Sequence, residues 1–191
     1  LIGAGGFAEA ALAPAAACVP VPDAMSSAEA AAFLIAYGTS HVALDHRARM
    51  KPGERLLVLG AAGGVGLTAV EIGKLMGAEV VACARGAARL EICRAMGADH
   101  VIDYSHEDVA AKVGELTDGQ GVAVVYDGVG KDTWAASLKS LARRGVMVTF
   151  GNASGPVPPF SPLDLSGRSL FVTRPRLFDY IATTEELDES A

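Results

Sequence analysis

Aromatic residues make up only 6% of this 191-residue chain, cysteines number three, basic residues are not in excess, and no long unbroken apolar run occurs. Each shortage excludes something. Cys18, Cys83 and Cys93 are odd in number and widely spaced, which argues against a disulfide framework or a cysteine zinc knuckle. Sixteen basic against 22 acidic residues leave a formal charge of −6, so neither nucleic acid nor an anionic membrane surface is an expected partner. A bilayer span needs roughly 20 apolar residues in a row, and the start lacks the charged and apolar segments of a secretory signal. The expected setting is reducing and cytoplasmic. What the chain does have is 51% apolar residues and 22 glycines. That is enough to bury one full core and suits helices lying close on a parallel sheet.

Apolar runs and turn residues set out the order of elements. Residues 5–22 alternate short apolar pieces with Pro14, Pro20 and Pro22 and read as irregular strand and loop. Ser26 and Glu29 form an S-x-x-E capping box before a helical pattern over 30–49, with an interruption expected at Gly38. Strands are expected at 56–59, 79–83, 100–102, 122–126, 146–150 and 170–173, separated by helical crossovers. Two of these helices end in Met-Gly-Ala, at Gly77 and Gly97, where glycine can close a helix in the left-handed conformation. Six strands with such crossovers imply an α/β fold, a doubly wound parallel six-stranded sheet. Thr183 and Glu186 look like a second capping box, opening a helix close to the last residue, and the first residue is leucine. The expectation is a piece of a longer enzyme.

The most informative stretch is Leu56 to Gly66, where an apolar strand meets a glycine turn and then a helix. Ala61, Gly63 and Gly66 form an A-x-G-x-x-G variant of the dinucleotide fingerprint. Gly63 would let the backbone approach a pyrophosphate, and Gly66 would let the helix pack on the strand. An NAD-binding site of this kind places a carboxylate about twenty residues further on. Here the second strand ends in Ala82-Cys83-Ala84-Arg85, and Arg85 and Arg89 stand one helical turn apart, suited to a 2′-phosphate. The residues favour NADPH. His41 and His46 are not spaced for one face of an α-helix, as a zinc helix requires. No nucleophile elbow or phosphate loop of the nucleotide-hydrolase type occurs.

These motifs, with Val125-Tyr126-Asp127-Gly128-Val129-Gly130, Phe150-Gly151-Asn152-Ala153-Ser154-Gly155 and Val172-Thr173-Arg174-Pro175, resemble the NADPH:quinone oxidoreductases. Those are zinc-free members of the medium-chain dehydrogenase/reductase superfamily. The resemblance implies the end of a GroES-like catalytic domain at 1–24, a Rossmann NADP-binding domain at 25–174, and a loop with the start of a further helix at 175–191. It implies a cofactor site of Thr39, Ala62, Gly63, Gly64, Val65, Arg85, Arg89, Tyr104, Val129, Phe150, Asn152 and Ser154. Tyr37 is the implied proton donor. Where zinc-dependent relatives carry a ligand cysteine, this chain has Ile35, which cannot bind a metal. The implied reaction is metal-free hydride transfer to a quinone or activated alkene, in a homodimer paired through the last strand. An NADPH-binding piece without activity, or an enoyl-thioester reductase, are the alternatives.

Overall fold

A computed structural model describes residues 6–190. Six strands form one sheet: β1 (Arg55–Leu59), β2 (Glu79–Ala84), β3 (His100–Asp103), β4 (Val122–Asp127), β5 (Leu141–Thr149) and β6 (Phe171–Thr173). Their order is β3-β2-β1-β4-β5-β6, and every pairing is parallel. The helices are α1 (Ser27–His41), α2 (Gly64–Leu75), α3 (Ala87–Ala95), α4 (Val109–Leu116), α5 (Trp134–Ser140) and α6 (Thr184–Ser190). The strands carry almost unbroken apolar runs because both faces of the sheet are covered. Leu56 and Val58 look into the layer of α2 and α3 with Val80, Ala82 and Tyr126, while Leu57 and Leu59 look into the opposite layer of α4 and α5. A register shift between Val122 and Val124 in β4 keeps both of those valines buried, on opposite faces.

The punctuation follows backbone chemistry. Ser26 caps α1, accepting from the Glu29 amide at 3.3 Å, while Glu29 accepts from the Ser26 amide at 2.8 Å. Thr183 and Glu186 form the corresponding box before α6. Gly77 and Gly97 close their helices at φ of 81° and 100°.

Three expectations are corrected. Gly38 does not interrupt α1, which runs unbroken to His41. A Cβ there would lie 3.1 Å from a methyl of Leu177, so the glycine admits a neighbouring segment. The chain then continues through a π-helical stretch, Val42–Arg47, whose wider turn suits an i, i+5 pair. It brings the His41 and His46 rings edge to face at 5.5 Å, although an ordinary helix would separate them. Finally, β5 starts at Leu141 instead of Val146. Its Arg143-Arg144-Gly145 portion does not look like a strand, and Arg144 has φ of 64°. Arg168 steadies that corner by donating to the carbonyls of Leu138, Lys139 and Leu141. Residues 6–24 are largely exposed and irregular apart from a short 3-10 turn at Ala15–Ala17.

Candidate cofactor site

The glycine turn between β1 and α2 is built for close approach. Gly60 adopts φ of 73°, and its carbonyl accepts from the Gly63 amide at 3.1 Å. A Cβ on Gly66 would collide with the Gly60 carbonyl oxygen and sit 2.8 Å from the Ala61 Cα, so only glycine lets the helix start against the strand. Gly64 has open space where its Cβ would be. No side chain caps α2. Its first amides, those of Gly64, Val65 and Gly66, therefore have no partner within the helix and face outward with the positive end of the helix dipole. Such a terminus fits an anion.

These amides open on a cleft of about 460 Å³ at the carboxyl ends of β1, β2, β4 and β5, which is the switch point of the fold. Gly63, Gly64, Val65, Arg85, Arg89, Tyr104, Val129, Phe150 and Ser154 all line it, so nine of the expected cofactor residues converge on one cleft. At the β2 end the Arg85 guanidinium lies 5.2 Å from the centre of the Tyr104 ring. Arg85 and Arg89 are exposed, and among the described residues neither pairs with a carboxylate.

The carboxylate next along, Asp103 at the end of β3, is engaged locally. It accepts from the Ser105 hydroxyl, from the Ser105 amide at 3.0 Å and from the Gly86 amide at 3.1 Å. The Ser105 hydroxyl, followed by its amide, holds Asp103 below the usual carboxylate range. Asp103 thus fixes the turn at Gly86, whose φ is 82°, and sets where α3 carries Arg89. Nothing in the local sequence marks it for this role.

At the far end the loops after β4 and β5 are laced together. Asp127, fully buried, accepts from the Val129 amide at 2.7 Å, the Gly130 amide at 3.1 Å, and the Thr133 and Ser137 hydroxyls, each at 2.7 Å. The Ser154 amide and hydroxyl donate to the Val129 carbonyl at 2.8 and 2.9 Å. Gly128 makes room for Phe150, since a Cβ there would lie 2.5 Å from the ring. A Cβ on Gly151 would strike the Gly128 carbonyl, so the two loops run backbone to backbone. Phe150 also stacks on Tyr126, centres 4.1 Å apart.

Four expected residues lie elsewhere. Ala62 and Thr39 are half-buried and outside the cleft lining. Asn152 lines the adjoining hollow, where Arg174 donates to its side-chain oxygen at 3.2 Å. Tyr37 lines a separate apolar hollow with Phe33, Met25 and Leu67, stacks on Phe33 at 4.4 Å, and donates its hydroxyl to Glu71 on α2. The Glu71 bond, with burial, pushes the Tyr37 phenol above its ordinary pKa. Sequence spacing cannot reveal a partner 34 positions away. Among the described residues no group of three or more His, Cys, Asp or Glu side chains is arranged to hold a metal ion.

An all-parallel doubly wound sheet with an uncapped glycine-turn helix at its switch point defines a Rossmann-type nucleotide-binding domain. Residues 64–190 match the family model described as zinc-binding dehydrogenase, and the chain belongs to that family. It is 44% identical over 174 residues to the quinone oxidoreductase of Pseudomonas aeruginosa, covering 91% of this chain and 54% of that protein. It is 36% identical to a 2-haloacrylate reductase of a Burkholderia species, covering 98% of this chain and 57% of that one. The crystal structure of Escherichia coli quinone oxidoreductase complexed with NADPH superposes with a TM-score of 0.84 at 42% identity, over 90% of this chain and 53% of that one. The chain spans about half the length of the curated relatives it matches. It is homologous to enzymes, the quinone oxidoreductases.

Proposed function

We propose that this chain binds NADPH and forms the cofactor half of an oxidoreductase that passes hydride to a quinone or an activated alkene. One observation carries the reading. The cleft joins helix amides and two arginines that, among the described residues, have no acid partner, at a β2 edge where the adjacent carboxylate is already engaged. The amides of Gly64 to Gly66 would hold the pyrophosphate, Arg85 and Arg89 the 2′-phosphate, and Tyr104 the adenosine side. Val129, Phe150 and Ser154 would then frame the nicotinamide beyond the switch point. NADPH supplies the hydride, and the chain's part is to orient it and exclude water. The NADPH complex of the Escherichia coli relative supports the cofactor, and the haloacrylate reductase supports an activated double bond as acceptor.

Residues 1–24 are inferred to close a preceding catalytic domain, which would supply most acceptor contacts. Tyr37 is the inferred proton donor, yet it lines a separate hollow and its bond to Glu71 holds the proton back. Tyr37→Phe in an active enzyme would leave turnover unchanged if solvent serves instead. Exposure of Phe171 on the edge strand supports a homodimer through β6, and a monomeric mass by light scattering would refute it.

The direct test is titration with NADPH and NADH, on the chain and on Arg85→Ala and Arg89→Ala. A lost charge-assisted bond is worth about 1.5–3 kcal/mol, so NADPH binding should weaken about ten- to hundred-fold toward the NADH value. Equal affinity for the two cofactors in the unaltered chain would refute the reading. A second reading, a binding module without activity, is favoured by the half-length match. NADPH binding without turnover of quinones or enones would support it, and turnover would end it.

A further inference from the structure

The strands β2 and β3 finish side by side, with Ala84 in register with Asp103. The chain therefore leaves the sheet as Arg85-Gly86 from one strand and as Tyr104-Ser105 from its neighbour. Asp103 ties the two exits together. One of its carboxylate oxygens accepts from the Gly86 amide at 3.1 Å, and the other accepts from the Ser105 amide at 3.0 Å and from the Ser105 hydroxyl. The bonding continues beyond Gly86, whose carbonyl accepts from the amides of Arg89 at 3.2 Å and Leu90 at 3.3 Å in the first turn of α3. No side chain caps that helix. Gly86 is thus held by Asp103 through its amide and holds Arg89 through its carbonyl, with Arg85 as its covalent neighbour.

We propose that Asp103, steadied by Ser105, is a positioning residue for cofactor choice: it fixes Arg89 relative to Arg85 and so sets how strongly the site prefers a 2′-phosphate. Its own charge would oppose a phosphate, so it acts through Gly86 and not by contact. None of its side-chain bonds runs to the glycine turn at 60–66. Contacts to the adenosine and pyrophosphate are common to NADPH and NADH, and they cancel in the ratio of the two affinities. Arginine spacing matters in this way only if NADPH is the ligand, so the role of Asp103 rests on that reading.

The test is titration with NADPH and NADH on the unaltered chain, on Asp103→Ala, on Asp103→Asn and on Ser105→Ala. The two Asp103 variants carry the same charge, so the gap between them reports the bonds. Asparagine can turn its oxygen to the Gly86 amide and its NH2 to the Ser105 hydroxyl oxygen, whereas alanine can do neither. Loss of one such bond corresponds to about a five-fold change in affinity. The NADPH-to-NADH affinity ratio should be about five-fold lower in Asp103→Ala than in Asp103→Asn, and Ser105→Ala, which keeps the charge, should fall below the unaltered chain by about two-fold or more. A ratio as high in alanine as in asparagine, which includes equal weakening of both cofactors, would overturn the proposal while the preference of the unaltered chain for NADPH keeps the cofactor reading intact. No such preference in the unaltered chain would overturn both. Should Asp103→Ala not fold, Ser105→Ala decides alone, and an unchanged ratio there refutes the role.

Discussion

Asp127 offers the sharpest test of how the cleft is held. Its carboxylate has no solvent exposure and takes four donors, two of them main-chain amides that have nowhere else to turn. Asp127→Ala strands the Val129 and Gly130 amides at about 1–3 kcal/mol each. The hydroxyls suffer less, because Thr133 already has the Gly130 carbonyl at 3.2 Å as a second acceptor. A total loss of about 3–5 kcal/mol is expected. Asp127→Asn should behave differently. Its oxygen can serve both amides, its NH2 can face the Thr133 and Ser137 hydroxyls, and those hydroxyls can rotate to accept, leaving only the charge assistance lost, about 1–2 kcal/mol. At roughly 2–4 °C per kcal/mol for a domain of this size, alanine should lower the melting temperature by about 6–20 °C and asparagine by about 2–8 °C. Urea unfolding followed by the fluorescence of Trp134, the one tryptophan and a near neighbour of Ser137, gives the free energies directly. The reasoning is refuted if asparagine costs as much as alanine, or if both variants stay within about 0.5 kcal/mol of the parent.

Three further outcomes are expected. Gly66→Ala forces a methyl group into the Gly60 carbonyl, so NADPH binding should fall at least ten-fold with the far-ultraviolet dichroism retained; unchanged affinity in a titration would contradict the close packing. The Arg55 guanidinium, 2.6 Å away, holds Glu79 below the usual carboxylate range against the effect of burial, with help from His100. A depressed folded-state pKa stabilises the fold above the unfolded value and loses that contribution as pH falls through the folded one. The stability gap between the parent and Glu79→Gln, under about 1 kcal/mol for so exposed a pair, should therefore narrow as pH falls below about 4.3; a gap that widens there would be contrary. Thiol labelling of the native chain should modify exposed Cys18 quickly and spare Cys83 and Cys93, which are buried, with burial pushing both thiols up. Three fast thiols under native conditions would contradict that burial.

Much of the architecture was legible because parallel strands buried on both faces write themselves as apolar runs, and β1 to β4 fall within a residue or two of where those runs lie. The glycine turn and the two arginines were legible because they lie on one continuous stretch of sequence, whereas Tyr104 was indicated by the family resemblance alone. What escaped depends on contacts between distant segments. Gly38 suggests a helix break until Leu177 is seen to need the space. Tyr37 suggests a free phenol until Glu71 captures it. Asp103 and Asp127 look like ordinary strand-end acids, and their loop-organising role depends on donors supplied by the following turns. The early start of β5 was masked by two arginines that a strand tolerates at an exposed end.

The backbone-to-backbone seam between Gly128 and Gly151 has a consequence for descent. Neither loop can acquire a side chain at that crossing unless the other retreats in the same step, so single substitutions there are closed and the two loops are inherited as one unit. Ala153, which lines the same cleft just past the crossing, makes no side-chain bond across it, whereas the Ser154 hydroxyl is held by the Val129 carbonyl. Divergence on this half of the cleft would therefore accumulate at 153, with the seam beside it left unaltered.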